Sequence, residues 1–150
     1  MEELDIKLEE ADTPASQTAD FSASLIDILN KSALSFMISI GHRAGLFDAM
    51  SGMNFATSQD IATKAAINER YLREWLGAMV TGGIIDYDKA TKTYHLPQEK
   101  SAVLVRSAGA GNMAVFMQYI SVLGKVEDDI LKCFRKAMVC HTQNSRVFTG

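Results

Sequence analysis

The sequence predicts a mostly α-helical fold, a winged helix-turn-helix with a small antiparallel β wing and long flanking helices. Three observations predict it. Two short helical patterns lie on either side of a tight turn at residues 65–68. Two short β-prone runs, joined by a charged loop, follow directly. On both sides of this motif, apolar residues recur at the spacing that is typical of amphipathic helices.

The two short helical patterns carry clear start signals. The first begins at Thr57-Ser58, whose hydroxyls can accept hydrogen bonds from the free amides of a first helical turn. Asp60 places a negative charge near the positive end of that helix dipole. The second helix begins after Asn68, a favoured N-cap residue. Its apolar residues fall on one helical face: Leu72, Trp75, Leu76, Met79 and Val80.

The predicted wing follows the second helix. Gly82-Gly83 is expected to end that helix, because glycine adopts left-handed backbone without steric cost. Residues 84–87 and 93–96 are the predicted strands, and residues 88–92 form the charged loop between them. His95 alternates with its neighbours along the second strand, so we expect its side chain to face solvent.

The chain is expected to divide into three parts. Residues 1–20 are rich in acidic side chains and lack apolar periodicity, which predicts a mobile acidic tail. Residues 21–136 form the winged-helix domain with its flanking helices, and residues 137–150 form an irregular C-terminal tail. Within the domain, flanking helices are predicted over 21–40, 98–106 and 112–136, with breaks at residues 109–111 and near Gly124.

Composition and charge argue against binding to nucleic acid. The chain has 150 residues, enough for one domain, and a formal net charge of -3, so no global positive field attracts phosphate. On the exposed side of the second helix, Glu69 and Glu74 cancel Arg70 and Arg73. A DNA-binding transcriptional regulator of the winged-helix type is therefore an alternative function, and DNA is not the expected partner.

Several short patterns imitate functional sites, but each has a simpler explanation. Gly109-Ala110-Gly111 follows no predicted strand, so an interhelical turn explains it better than a nucleotide-binding loop. His42 lies at the end of a predicted helix, where the dipole alone would account for it. Cys140-His141 has no second pair of metal ligands. The sequence thus predicts no catalytic, cofactor-binding or metal-ligating residue.

The cellular setting is expected to be cytoplasmic. The N-terminus lacks a basic start followed by an apolar core, so it is not a signal peptide. Two cysteines, Cys133 and Cys140, are too few for a disulfide framework or a four-ligand zinc site. Asp27, Asn30 and Lys31 interrupt the apolar stretch at 21–40, so no membrane span is expected.

The helix predicted over residues 21–40 is apolar on two sides, and one small domain can cover only one of them. The uncovered side predicts an interface, most simply with a second copy. The expected homodimer would use this helix and the C-terminal helices. The expected contacts include Phe36, Met37 and Ile40 from the first helix and Val115, Phe116, Tyr119 and Ile120 from the C-terminal region.

Two segments together resemble a known family. Residues 33–48 (ALSFMISIGHRAGLFD) and residues 68–80 (NERYLREWLGAMV) are similar to the N-terminal part of class I S-adenosylmethionine-dependent methyltransferases that carry a winged-helix domain. The resemblance covers about residues 21–135. It implies a module that dimerises and covers the active site, while a separate Rossmann-like domain holds S-adenosylmethionine.

The chain departs from this family where the catalytic domain should begin. Residues 136–150 contain no hydrophobic strand followed by an acidic-Gly-x-Gly loop. We therefore expect this chain alone to bind no cofactor and to be inactive, S-adenosylmethionine being the cofactor of the full-length family member. A truncated product is one hypothesis, which suggests a regulatory fragment that pairs with a full-length methyltransferase.

Overall fold

A computed structural model of the 150-residue chain describes residues 13–135. The predicted fold, a mostly α-helical winged helix-turn-helix with long flanking helices, is confirmed. The elements are α1 (Pro14–Arg43), α2 (Leu46–Met50), α3 (Ser58–Ala65), α4 (Glu69–Thr81), β1 (Asp86–Asp88), β2 (Thr93–His95), α5 (Gln98–Ser101) and α6 (Tyr119–Arg135), with 3₁₀ turns at Arg106–Gly111 and Met113–Gln118.

Helix α1 begins at Pro14, inside the stretch for which the sequence predicted a tail. The Thr13 hydroxyl accepts a hydrogen bond from the Ser16 amide at 3.3 Å, as an N-cap side chain does. Proline suits the first helical position because the amide it lacks would have no helical partner there. Thr13-Pro14 is therefore a helix start signal. The predicted tail residues 1–12 and 136–150 lie outside the described residues.

The chain divides into two units between Ala33 and Leu34. The second unit contains the helix-turn-helix, the wing and one hydrophobic core. Its buried members come from most of its elements: Ile38, Leu46, Phe47, Met50, Ala56, Ile61, Ala62, Leu72, Trp75, Leu76, Met79, Ile85, Leu96, Leu104, Val105 and Ala114.

Trp75 joins the end of α1 to α4. Its indole Nε1 donates a hydrogen bond to the Met37 carbonyl at 2.8 Å, and its ring meets that of Phe47 edge to face at 5.3 Å. Gly41 permits this approach, because a Cβ atom there would lie 2.3 Å from Trp75 Cζ2. The core therefore depends on a glycine in α1 that faces a large aromatic ring.

The helix-turn-helix has the predicted caps. Thr57 and Asp60 form a reciprocal capping box at the start of α3. The Asn68 side chain accepts from the Arg70 amide at 3.0 Å at the start of α4. Between the helices, Ala66 adopts left-handed backbone with φ 54°. The four buried residues of α4 are those predicted, and Val80 is half-buried.

The wing is shorter than predicted. Its two strands are antiparallel, with Tyr87 opposite Tyr94. The expected strand residue Ile85 instead precedes β1 and is buried in the core. His95 does not simply face solvent: it is half-buried, its Nδ1 lies 3.1 Å from the Met53 carbonyl, and its ring stacks on Phe55. The prediction for His95 is wrong because the segment before α3 packs beside the wing.

The region after the wing is less regular than predicted. Helix α5 ends at Ser101, and the residues before α6 form two 3₁₀ turns. The break at Gly109 is confirmed, with φ 56°. The break predicted near Gly124 is wrong, since α6 continues through it. A single glycine costs a helix only about 1 kcal/mol relative to alanine, which the rest of α6 tolerates. Cys133 in α6 is disulfide-bonded, which the cysteine count did not predict.

Candidate interaction surfaces

The outward side of α4 is the surface that a DNA-binding winged helix would use. One arginine on this side forms an ion pair within the helix. Glu69 accepts from Arg73 at 3.2 Å and also from the Ser58 hydroxyl at 2.6 Å. Glu74 and Arg70, both exposed, carry opposite charges on the same helix. Part of the predicted cancellation of charge is thus a direct side-chain contact, the ion pair between Glu69 and Arg73.

The tip of the wing adds negative charge to this region. Hydrogen bonds from the Thr91 hydroxyl, first, and from the Ala90 amide lower the pKa of Asp88. The carboxylate therefore stays ionised at neutral pH. Together with Asp86 in β1, it balances the charges of Lys89 and Lys92 in the wing. The wing consequently offers no excess of positive charge for a phosphate backbone.

Helix α1 exposes large apolar side chains along most of its length. Leu29, for example, is 68% exposed. Removing apolar side chains from water lowers the free energy of the system. A long row of exposed apolar side chains is therefore typical of an interaction site. The exposed apolar residues of α1 are Phe21, Leu25, Ile26, Ile28, Leu29, Phe36 and Ile40.

Met37 belongs to a different side of α1. It is half-buried and packs against the core, and its carbonyl receives the Trp75 hydrogen bond. The sequence predicted three interface contacts from α1. Phe36 and Ile40 are exposed and can contact a partner, whereas Met37 is half-buried against the core. Helical periodicity alone could not distinguish the two apolar sides of α1. The contact with Trp75 shows that the side carrying Met37 is the covered one.

Helix α1 also has the length and composition of a membrane span. By length and composition alone, Pro14–Arg43 contains an 18-residue stretch apolar enough to cross a membrane, of which 11% is buried. Asp27 and Lys31 were expected to exclude a membrane span. They do not, because α1 has the composition of such a span despite these two charges. Core helices of soluble proteins and signal sequences share this length and composition, so a single such helix does not establish a membrane span.

Helix α6 is a second amphipathic element. None of the residues of Tyr119–Arg135 is buried. Its polar side carries acidic and basic residues, with Lys132 bound to Asp129 at 2.7 Å. On the other side, Phe134 is 85% exposed. Of the predicted C-terminal contacts, Phe116 and Tyr119 are exposed, and Val115 and Ile120 are half-buried.

The end of α1 is held by a set of contacts that we term the Arg106 corner, formed by His42, Arg43, Asp48, Leu104 and Arg106. The Arg106 guanidinium donates to the His42 carbonyl at 2.6 Å and to the Arg43 carbonyl at 3.4 Å. It also binds Asp48 Oδ2, while the Arg106 amide donates to Asp48 Oδ1 at 2.8 Å. Arg106 therefore caps the C-terminus of α1 and ties it to α2.

His42, which the sequence predicted at a helix end, lies inside the Arg106 corner. It is 8% exposed, and its Nδ1 has no hydrogen-bond partner among the described residues. Burial, and then the positive charge of Arg106, lower its pKa, against weaker opposing effects of Asp48 and a backbone hydrogen bond at Leu104. His42 does lie in the last turn of α1, where the helix dipole by itself would raise its pKa, so burial and Arg106 outweigh the dipole.

Within residues 13–135 there is no cluster of three or more His, Cys, Asp or Glu side chains that could hold a metal ion. Gly109-Ala110-Gly111 lies in a 3₁₀ turn that no strand precedes, as predicted. Cys140-His141 lies outside the described residues.

The fold has a known counterpart among domain families. A family model described as the Rv2258c-like winged HTH domain matches residues 32–106. The chain belongs to this family. The matched residues of this winged HTH domain run from the second half of α1 to Arg106, and so include the core, the wing and the Arg106 corner. No curated protein sequence matches the chain.

Three solved structures share this fold, and two of them are described as methyltransferases. The winged HTH domain is similar to "PigF with SAH" (TM-score 0.62, 18% identity, 75% of this chain and 32% of that one). It is also similar to the mitomycin 7-O-methyltransferase MmcR (TM-score 0.62, 15% identity, 84% of this chain and 37% of that one). The S-adenosylmethionine-dependent methyltransferase SibL in its apo form matches at TM-score 0.52 and 16% identity, over 75% of this chain and 32% of SibL. The chain thus spans about a third of the length of these structures.

Proposed function

We propose that this winged HTH domain is the N-terminal dimerisation and active-site-cover module of a small-molecule S-adenosylmethionine-dependent methyltransferase. The observation that carries the proposal is the row of exposed apolar side chains on α1, since the core covers only the last turns of that helix, where Ile38, Ser39, Gly41 and His42 are buried. Burying such a row contributes about 25 cal/mol for each square ångström of apolar surface removed from water.

A second copy is the partner that fits these surfaces best. Both α1 and α6 carry exposed apolar rows flanked by polar residues, and each could pack against its counterpart across a two-fold axis. Lipid fits α1 less well, because Asp27 and Lys31 are exposed on it and form an ion pair at 2.6 Å. The methyltransferase assignment rests on the shared fold with MmcR and SibL and on the short share of their length that this chain spans.

Charge substitution at an exposed apolar position tests dimerisation. Sedimentation of the unmodified chain at micromolar concentration should give a dimer. Leu29→Glu should give a monomer, because the new carboxylate would be desolvated in the interface without a partner. Asn30→Glu is the matched control, since Asn30 is the exposed polar neighbour of Leu29 and the added charge is the same. Leu123→Glu applies the same test to α6.

The variants should keep their helical circular dichroism, because Leu29, Asn30 and Leu123 are all exposed in the protomer. An unmodified chain that sediments as a monomer and binds no dye specific for apolar surface would contradict the dimerisation role. If Leu29→Glu and Asn30→Glu sediment with the same oligomeric state, Leu29 does not lie in the interface.

A further inference from the structure

We propose that the Arg106 corner is an acid-sensitive latch, in which protonation of the buried His42 ring weakens the hold of Arg106 on the last turn of α1. The proposal concerns contacts within one protomer and does not depend on the methyltransferase assignment. His42 supplies both parts of the device: its carbonyl receives the Arg106 guanidinium at 2.6 Å, and its ring lies buried beside that cation.

The neutral ring suits the corner. One ring nitrogen bonds the backbone of Leu104, and the other, Nδ1, has no partner among the described residues. Protonation would place a new N–H donor on Nδ1 with no acceptor, which costs free energy in a buried place. It would also add a positive charge next to the Arg106 guanidinium, which is repulsive at short range.

Within residues 13–135, Asp48 is the carboxylate that acts on the ring, and its oxygens already accept hydrogen bonds from Arg106. Its two oxygens accept from the Arg106 amide and the Arg106 guanidinium. For Asp48 to neutralise a charged His42 ring, it would have to share or release Arg106. Of the two charged groups that act on the ring, Arg106 lies on the turn after α5 and Asp48 on α2. Arg43, the next residue of α1, is exposed.

The direction of the pH effect follows from linkage. The folded-state pKa of His42 lies below its ordinary value of 6.5, so the unfolded or opened corner binds the proton more readily. The stability of the latch is therefore complete above that ordinary value. It falls as the pH drops below it and is lost once the pH is below the folded-state pKa. Carboxylates with ordinary pKa values titrate near pH 4, well outside this window.

Amide hydrogen exchange at single-residue resolution tests the latch. The informative amides are those of Arg106, bound to Asp48, and Gly45, which donates to the His42 carbonyl at 3.1 Å. Their protection, corrected for intrinsic exchange, is compared at about pH 7.5 and about pH 5.5, on either side of an ordinary histidine pKa. We expect it to fall at about pH 5.5 by up to about tenfold in total, because that pH lies about one unit below the ordinary histidine pKa. Amides in the middle of α4 should not change.

His42→Gln should remove this pH dependence, because glutamine does not titrate. His95→Gln is the matched control and should retain it, since His95 lies on β2 with its Nδ1 at the Met53 carbonyl. If His42→Gln does not fold, the His42 ring is titrated by NMR in the unmodified chain and in Arg106→Gln.

In the unmodified chain, the ring and the Arg106 amide should then titrate with one midpoint below 6.5, the ordinary histidine value. Removing the guanidinium in Arg106→Gln should raise that midpoint. An unchanged pH dependence in His42→Gln would overturn the proposal. A His42 ring that titrates at its ordinary pKa, or without any response at the Arg106 amide, would overturn it equally.

Discussion

At the scale of single residues, the core is organised by the contact of Trp75 with the last turns of α1. The Trp75 ring is 3% exposed, bonds the Met37 carbonyl and meets the Phe47 ring. Gly41 provides the space that the indole occupies. Changes in either partner should therefore cost stability even though the two residues are distant in sequence.

Replacing Trp75 by alanine should destabilise the fold by about 3–5 kcal/mol, through the lost burial, the cavity and the lost hydrogen bond. Tyr71→Ala is the matched control on the same helix. Tyr71 is 71% exposed, and such a substitution should change stability by less than about 0.5 kcal/mol. Denaturant titration measures both. A cost below about 1 kcal/mol for Trp75→Ala would show that the ring is not a core residue.

Two glycine substitutions in helices should have opposite signs. Gly41→Ala places a methyl group 2.3 Å from Trp75 Cζ2, so the packed ring must shift, at a cost of about 1–3 kcal/mol. Gly77→Ala meets nothing within 4 Å and should stabilise α4 by up to about 1 kcal/mol through helix propensity. Thermal or denaturant unfolding compares the two. Stabilisation by both would mean that α1 and α4 are less closely packed than observed.

At the scale of elements, α4 keeps the shape of a recognition helix without its electrostatics. Asn68 caps it, and its buried face packs on the core. On the exposed side, however, Arg73 is bound to Glu69, and Glu74 offsets Arg70. Each arginine that is neutralised by its own helix releases fewer counterions when it meets a phosphate.

Binding of the chain to duplex DNA should therefore be weak, without sequence preference, and abolished near physiological salt. Fluorescence anisotropy over a salt series measures this. The double variant Glu69→Gln and Glu74→Gln should strengthen the binding at low salt, since it removes the carboxylates and keeps the arginines. Sequence-selective binding of nanomolar affinity at physiological salt would instead identify the chain as a DNA-binding regulator.

At the scale of the whole molecule, the described residues form one winged-helix core together with amphipathic helices whose apolar sides are exposed. The chain spans about a third of the solved methyltransferases that share its fold, such as MmcR at 37% of that chain. Dimerisation and the covering of an active site would both use surfaces of this kind. The strands in the described part are two antiparallel segments of three residues each.

A donor site of the Rossmann-like type needs a buried strand that leads into a glycine-rich loop, and the sequence has no such pattern. Calorimetry of the 150-residue chain with S-adenosylmethionine should therefore show no saturable binding up to millimolar ligand. PigF, whose structure is described with SAH, is a suitable positive control. A micromolar site on this chain would contradict the expectation and would require a donor site of another kind.

The sequence by itself determined the helix-turn-helix, its caps and its wing. These features depend on interactions between residues a few positions apart, as in the capping box of Thr57 and Asp60 or the N-cap at Asn68. Helical periodicity also identified the buried face of α4. The same local reasoning missed the start of α1, where Thr13-Pro14 is a readable signal, and it overestimated the effect of Gly124.

Only the tertiary structure decided which apolar side of α1 is covered and what surrounds its C-terminus. Trp75 selects the side that carries Met37, from 38 residues further along the chain. Asp48 and Arg106 meet across 58 residues, and no local pattern pairs them. The burial of His42 follows from that meeting. Helical periodicity fixes which residues share a face, whereas the partner of each face depends on contacts that form only when distant segments pack together.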